Sequence, residues 1–269
     1  MTPKVALITG GASGMGLAVA TALSTRPDWE IHILDINSER GSQAARSLAR
    51  TTSHYADVTK YNILGEAFQQ CFQAQKRLDF VFANAGVIER FNFYESHPIS
   101  EGDTVTPPPE PDLLSIDADL KGVILTTYLA QHYFRASPNQ VGVVGFMRSI
   151  AQHFKAGGIR VNAICPGIVR TNLVDQGGWN AFPQHRFTEM ETVVRVVLQL
   201  VGQSEPAVQG LTDTRGTHLP MQRLFGLAVE ISDSGVYFRE QHEFCDDGMR
   251  EVMAATVLEN QVGAILNNN

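Results

Sequence analysis

The 269-residue sequence lacks several features that would each indicate a particular class of protein. Its three cysteines (Cys71, Cys165 and Cys245) are odd in number and far apart, so they predict neither a disulfide framework nor a zinc site, and no metal is expected. No apolar run approaches the roughly 18 residues of a membrane-spanning helix. The formal net charge of −7 argues against a nucleic-acid partner, because such binding requires positive charge to neutralise phosphates.

The first residues, MTPKVALITGG, also lack a targeting pattern. They hold one lysine and an apolar run of four residues, which is too short for a secretory signal peptide. We therefore expect a soluble, cytoplasmic protein that does not bind membranes. What the sequence does contain is 43% apolar and 18% charged residues, which suits a sizeable core in one large α/β domain or at most two small ones.

Short apolar runs alternate with helical patterns over the first 86 residues. Strands are predicted at 4–10, 30–35, 53–58 and 78–86, and helices at 14–23, 37–50 and 61–75. This alternation predicts a parallel sheet that is covered by helices on both faces, which is a doubly wound α/β fold.

The pattern changes after residue 86. Residues 87–113 hold five of the twelve prolines, which predicts a long ordered loop near a binding site. Helices at 113–134, 141–155 and 188–201, a strand at 159–167 and a hairpin at 227–239 with its turn at 233–235 are predicted to follow. No repeat or linker to a second domain is visible.

The segment TGGASGMG places Gly10, Gly14 and Gly16 between the first predicted strand and the first predicted helix. Glycines at such a turn let the backbone approach a pyrophosphate, and the N-terminus of the helix supplies N–H donors. A glycine triplet alone is also consistent with a plain tight turn, so a second feature is needed to support a dinucleotide site.

Asp35 supplies that second feature at the end of the second strand. It lies 19 residues after Gly16, close to the roughly 20-residue spacing of a carboxylate that binds the adenosine ribose. A carboxylate there repels a 2′-phosphate, and neither Ser13 nor Ile36 brings a compensating positive charge. The sequence therefore favours NAD over NADP.

Six segments, TGGASGMG, ILD, ADV, ANAG, DLKGV and RVNAICPGIVRT, occur in the order typical of the short-chain dehydrogenase/reductase family, which the chain resembles from residue 4 to about 175. The remainder is similar to fungal 15-hydroxyprostaglandin dehydrogenase-like members. The resemblance implies a single Rossmann-type domain over 1–269 with a C-terminal substrate loop and hairpin. It also implies a homodimer or homotetramer and hydride transfer between NAD and a secondary alcohol or ketone. Apolar residues near Trp179 and Phe182 suggest a hydrophobic substrate, such as a secondary metabolite.

The resemblance also assigns the cofactor contacts. Asp57 and Val58 are expected to hold the adenine, and the segment that begins at Pro166 is expected to hold the nicotinamide amide. For Asp57 the alternative is a turn residue at the end of a strand, and for Asn84 it is a purely structural role. The full predicted set is Gly10, Ser13, Gly14, Met15, Gly16, Asp35, Asp57, Val58, Asn84, Ala85, Gly86, Pro166, Gly167, Ile168 and Thr171.

The catalytic residues of the family are missing from the expected window. Relatives use a Ser that polarises the carbonyl, and a Tyr acid/base whose pKa is lowered by a Lys four residues later on the same helical face. The window YFRASPNQVGVVGF contains no such Tyr-x-x-x-Lys pattern, and Asp119 stands where relatives have an Asn. We therefore assign no catalytic residue.

Substitutes for these residues are poor. Tyr128 with His132, and Tyr133 with Ser137, fit packing positions on the preceding helix better than catalytic ones. Ser149 is expected to be solvated, and Cys165 is expected to be a small buried residue.

The junction at 137–141 explains the missing residues. In a doubly wound sheet the first of its flanking helices ends at the bottom and the second begins near the top. A helix of about 14 residues is about 21 Å long, whereas four extended residues span at most about 14 Å. The sequence thus predicts a sheet whose fifth strand is missing or disordered. It leaves two hypotheses: an oxidoreductase whose given sequence lacks a segment, and a nucleotide-binding pseudoenzyme or scaffold.

Overall fold

The computed structural model describes residues 3–88, 90–91, 95, 107–137, 158–173, 179–180, 182–203, 210–239, 246–249 and 251. The strands are β1 (Lys4–Thr9), β2 (Trp29–Asp35), β3 (Thr51–Tyr55), β4 (Phe80–Phe82), β5 (Ala163–Pro166), β6 (Gly210–Thr212), β7 (His218–Pro220), β8 (Ala228–Ser232) and β9 (Gly235–Arg239). The α-helices are α1 (Gly14–Ser24), α2 (Ser38–Ser47), α3 (Tyr61–Gln75), α4 (Gly122–Arg135) and α5 (Met190–Val201). None of these helices is long and apolar enough to cross a bilayer.

The N-terminal half forms a parallel sheet in the order β3-β2-β1-β4. Ala6 of β1 lies between Ile31 of β2 and Phe80 of β4, and Val5 to Ile8 are fully buried. A continuous apolar run of this kind is typical of a parallel strand that is covered on both faces. The predicted doubly wound α/β fold is therefore confirmed.

Two apolar clusters cover the two faces of this sheet. Ala6 and Ile8 face the helices α1 and α5, and the alternate residues Val5 and Leu7 face α3 and α4. Successive side chains of a strand point to opposite faces, so the four-residue apolar run Val5 to Ile8 contributes to both clusters. Helices α1 and α5 also contact each other, which connects the N-terminal sheet to the C-terminal part of the chain.

The remaining strands form separate sheets within the described residues. β5 pairs in parallel with β8, β8 pairs with β9 in an antiparallel hairpin, and β6 pairs with β7. No described strand connects β4 to β5. The predicted helix at 141–155 lies outside the described residues, and of the junction at 137–141 only Ser137 is described. The missing fifth strand therefore stays a prediction.

Several predicted boundaries are confirmed and others are wrong. Helix α3 has the predicted bounds, and α2 begins after Asn37, whose Oδ1 accepts a hydrogen bond of 2.9 Å from Arg40 N. The C-terminal hairpin is also confirmed, with Asp233 in its turn at φ +57°.

The third and fourth strands were predicted to extend too far. β3 ends at Tyr55, because the following chain leaves the sheet and Val58 packs against Gly122 of α4. β4 ends at Phe82, because the backbone N–H groups of Asn84 and Ala85 turn to donate to Thr9 Oγ1. The predicted helix at 113–134 begins with a π-helical turn, Ile116–Lys121.

The Asp79 carboxylate, just before β4, holds the start of β1 in place. Its Oδ2 accepts hydrogen bonds from Val5 N (2.8 Å) and Arg77 Nε (2.8 Å), and its Oδ1 contacts Arg77 Nη2 at 2.6 Å. The carboxylate is almost fully buried, so its partners have little access to water as a replacement.

We expect Asp79→Ala to lower the free energy of unfolding by about 3 kcal/mol, because it leaves a largely buried guanidinium without this carboxylate. The matched control is Asp28→Ala, which removes the exposed ion pair with Lys4 and should change stability by less than about 1 kcal/mol. Urea denaturation followed by circular dichroism measures both. Equal effects for the two variants would contradict the assigned role of Asp79.

Candidate cofactor site

The glycine-rich loop connects β1 to α1 and leaves no room for a side chain at Gly10 or Gly16. Gly10 and Gly14 have positive φ (+63° and +54°), which glycine adopts without strain. A Cβ on Gly16 would stand 2.4 Å from the carbonyl oxygen of Gly10. The Ser13 side chain does not cap α1, and the first turn of α1 has no acidic residue. The backbone N–H groups at the N-terminus of α1 therefore suit an anionic ligand.

Asn84 fixes this loop to the end of β4. Its Nδ2 donates to the carbonyl oxygens of Thr9 (3.2 Å) and Gly10 (3.4 Å), and its backbone N–H donates to Thr9 Oγ1 (3.0 Å). A Cβ on Gly10 would lie 2.8 Å from Ala85 Cα. The side chain of Asn84 thus has the structural role that the sequence left open, while a contact of the 84–86 segment with a cofactor stays a prediction.

Asp35 lies at the carboxyl end of β2, beside the glycine-rich loop. Its Oδ2 accepts a hydrogen bond from Ala12 N (3.1 Å), and its Oδ1 accepts one from Asn37 N (2.9 Å). Two backbone donors therefore fix the carboxylate next to the loop. The structure thus brings Asp35 and the glycines together, as the sequence predicts.

The segment from Pro166 to Thr171 reaches Gly14, where the glycine-rich loop passes into α1. A Cβ on Gly14 would lie 3.2 Å from Thr171 Cγ2. Gly167 N donates to Ile231 O (2.7 Å), and Ile168 O accepts from Thr188 N (2.7 Å). These bonds hold the segment from Pro166 to Thr171 in place.

The contacts of Asp57 and Val58 within the protein favour structural roles over ligand binding. Asp57 Oδ1 accepts hydrogen bonds from Thr59 N (2.9 Å) and Thr59 Oγ1 (2.7 Å), so the carboxylate stabilises its own turn. Val58 is buried, and its side chain packs against Gly122 of α4. The turn-residue interpretation of Asp57 accounts for its contacts.

Asp119, in the place of the family Asn, lies next to the 84–86 segment. Its Oδ1 accepts a hydrogen bond from Val87 N (2.9 Å), and a Cβ on Gly86 would stand 3.2 Å from the same oxygen. Partial desolvation raises the pKa of the Asp119 carboxyl, and the hydrogen bond from Val87 N opposes this shift. An Asn could accept the same hydrogen bond, so the geometry fits either side chain.

Among the other catalytic candidates, Tyr133 and Ser137 have structural contacts and Tyr128 lies on the surface. The Tyr133 ring packs against Phe68 and Phe72, with centroid distances of 5.8 and 5.2 Å. Ser137 Oγ donates to Tyr133 O (2.8 Å) and accepts from Leu78 N (2.8 Å), which is a structural role. Tyr128 is 63% exposed, and Ser149 lies outside the described residues.

The prediction that Cys165 is buried is wrong, because its side chain is exposed. It occupies the strand position next to Ile164, which packs against the cluster around α5. Since neighbouring side chains of a strand alternate between faces, Cys165 points away from that cluster. It is a free thiol, and no disulfide constrains it.

Comparisons with known proteins agree with this geometry. The short chain dehydrogenase family model matches residues 4–139, and the model described as enoyl-(acyl carrier protein) reductase matches residues 122–212. A Penicillium rubens protein named short-chain dehydrogenase/reductase prx7 is 64% identical over 282 aligned positions, which cover 94% of this chain and all of that protein.

The chain belongs to the short-chain dehydrogenase/reductase family. It is an oxidoreductase by family, and its structural neighbours show the same fold. Human 15-hydroxyprostaglandin dehydrogenase [NAD(+)] is 30% identical over 194 positions, covering 64% of this chain and 70% of that protein. The Brucella melitensis 3-ketoacyl-(acyl-carrier-protein) reductase complexed with NADH is 17% identical with a TM-score of 0.64, covering 85% of this chain and 96% of that one.

We expect Gly16→Ala to lower the free energy of unfolding by about 1–3 kcal/mol, because the added methyl group overlaps the Gly10 carbonyl. The matched control is Gly65→Ala in α3, where a Cβ meets no atom within 4 Å. That change should raise stability by up to about 1 kcal/mol, because alanine favours the helix. Denaturant titration measures both, and a Gly16→Ala variant of unchanged stability would contradict the described loop packing.

Proposed function

We propose that this family member binds NAD in preference to NADP, and that its lineage transfers hydride between NAD and a secondary alcohol or ketone of a hydrophobic substrate. We further propose that the chain as given has lost most of its turnover. NAD would supply the hydride-accepting and hydride-donating ring. The chain's own residues would bind the dinucleotide along the glycine-rich loop and the N-terminus of α1.

The proposed preference for NAD over NADP is based on the position of Asp35. A carboxylate that is fixed by Ala12 N and Asn37 N stands beside the glycine-rich loop. It can accept hydrogen bonds from ribose hydroxyls, and it repels a 2′-phosphate at the same place. Gly10 and Gly16 have no room for a Cβ. The backbone without side chains at these positions supports close approach of a pyrophosphate.

The sequence carries the proposal on turnover. None of the six tyrosines has a lysine four residues later, so the acid/base pair of the family is missing from the entire chain. Asp119 keeps the family position of the Asn, but a carboxyl group alone does not replace a tyrosine whose pKa is lowered by a lysine.

The lengths of the alignments support the loss of a segment. The 282-position alignment covers 94% of 269 residues, or about 253, so about 29 positions of the Penicillium rubens protein have no counterpart in this chain. The match to the short chain dehydrogenase model ends at residue 139, within the junction of 137–141. A loop, a strand, a second loop and one helical turn would fill a gap of this size.

The second candidate function is a nucleotide-binding pseudoenzyme or scaffold. The missing Tyr-x-x-x-Lys pattern favours it if the chain is expressed as given. The transcript across codons 137–141 separates the two. A restored Ser and Tyr-x-x-x-Lys there would support the oxidoreductase, and an unchanged junction would support the pseudoenzyme.

We expect NADH to bind at least about tenfold more tightly than NADPH, because a charged hydrogen-bond partner contributes about 1.5–3 kcal/mol. Fluorescence titration with each nucleotide measures this ratio. Asp35→Ala removes the carboxylate charge, so it should narrow the difference between the affinities for NADH and NADPH. Comparable affinities of the unchanged chain for NADH and NADPH would contradict the cofactor proposal.

We expect little or no NAD-dependent turnover of secondary alcohols, because general acid–base catalysis typically contributes about 10² to 10⁴-fold. The rate of change of NADH absorbance, with protein whose NADH binding has been verified, measures this. Robust turnover that Tyr128→Phe or Asp119→Ala abolishes would contradict the proposal and would indicate a rebuilt catalytic site.

A further inference from the structure

A cluster of metal-ligating side chains lies in the N-terminal sheet, apart from the glycine-rich loop. His32 is on β2, His54 is on β3 and Cys71 is on α3. His54 pairs with Leu34, two residues along from His32, so both imidazoles lie on the same sheet face. One ligand atom from each of the three residues lies within 4.8 Å of the other two.

Hydrogen bonds orient the two imidazoles. Gln70 Oε1 lies 3.2 Å from His54 Nδ1 and can only accept, so this nitrogen carries the proton. His54 Nε2 then presents a lone pair, 2.9 Å from His32 Nδ1. A side-chain carbonyl that holds one ring nitrogen protonated, while the other is left as a lone pair, is typical of histidines that bind metals.

His32 Nε2 has no hydrogen-bond partner among the described residues, although the residue is only 3% exposed. His32 Nδ1 is the nitrogen that faces His54. An ion between the two rings would bind His32 through Nδ1, and the proton of the neutral ring would then lie on Nε2.

We propose that His32, His54 and Cys71 bind one Zn²⁺ ion. Two imidazole nitrogens and one thiolate are ligands that zinc prefers, and three protein ligands leave one position open. Two Zn–N bonds of about 2.0–2.1 Å at a tetrahedral angle place the nitrogens about 3.4 Å apart. The separation of 2.9 Å between His32 Nδ1 and His54 Nε2 therefore needs to open by only about half an ångström.

The surroundings of the cluster would allow an ion to enter, and a bound ion would stabilise the fold. Gln70 is exposed and His54 is only partly buried on the edge strand β3, so the outer end of the cluster faces water. Cys71 is buried among apolar residues. Coordination of its sulfur would release the thiol proton to solvent, with the charge of the ion stabilising the thiolate. A bound ion would join β2, β3 and α3.

The test titrates Co²⁺, as a spectroscopic substitute for zinc, into the full chain. We expect thiolate-to-cobalt charge-transfer absorption that saturates at one equivalent, and a thermal unfolding midpoint that rises with added Zn²⁺. Cys71→Ala should abolish the absorption, and His54→Gln should weaken binding at least about tenfold. The matched control is Cys165→Ala, which removes an exposed thiol and should leave the absorption unchanged.

Two results would overturn the proposal: no charge-transfer absorption from the unchanged chain, or absorption that survives in a folded Cys71→Ala variant. Circular dichroism without metal checks that each variant folds. If Cys71→Ala does not fold, the absorption of His54→Gln tests the proposal instead. The His54 side chain is only partly buried, and glutamine keeps a polar group near Gln70, so this variant is expected to fold. Neither result depends on NAD binding or turnover, so the zinc site stands or fails apart from the proposed function.

Discussion

Gly16 approaches the carbonyl oxygen of Gly10 so closely that even a Cβ would stand 2.4 Å away, and this contact determines how β1 passes into α1. The amide of Asn84 holds the same turn through Thr9 and Gly10, which ties the end of β4 to the end of β1. Asp35 contacts the loop at Ala12, and Thr171 contacts it at Gly14. The cofactor half of the molecule therefore depends on one tightly packed turn at the carboxyl edge of a parallel sheet.

Local patterns predicted much of this half. The apolar run of β1, the glycine spacing and the helix that Asn37 caps are all encoded within a few residues, so their positions could be read directly. The ends of β3 and β4 could not, because they are set by Val58 packing on α4 and by Asn84 turning toward Thr9. Such contacts join residues far apart in sequence, and no short pattern records them.

The cofactor site, like the fold, was predicted only in part. The glycines, Asp35 and Thr171 come together as predicted, whereas the Asp57 carboxylate serves its own turn and Cys165 lies exposed. Cysteine spacing also gave no indication of the cluster of His32, His54 and Cys71, because its members come from two adjacent strands and a following helix. Only the strand register brings the two histidines onto one face. A mixed His/Cys site of this kind needs the fold before it can be recognised.

We propose that the nucleotide-binding half of the chain is intact and that the acid/base segment after residue 139 is missing. The most direct measurement is the rate of NADH-dependent ketone reduction after a strand–Ser–Tyr-x-x-x-Lys segment typical of the family is inserted after Asn139. We expect a rate at least about 10²-fold above that of the unchanged chain, lost again when the tyrosine of the insert is changed to phenylalanine. An inserted chain that folds and binds NADH, yet reduces no tested ketone faster than the unchanged chain, would contradict this proposal.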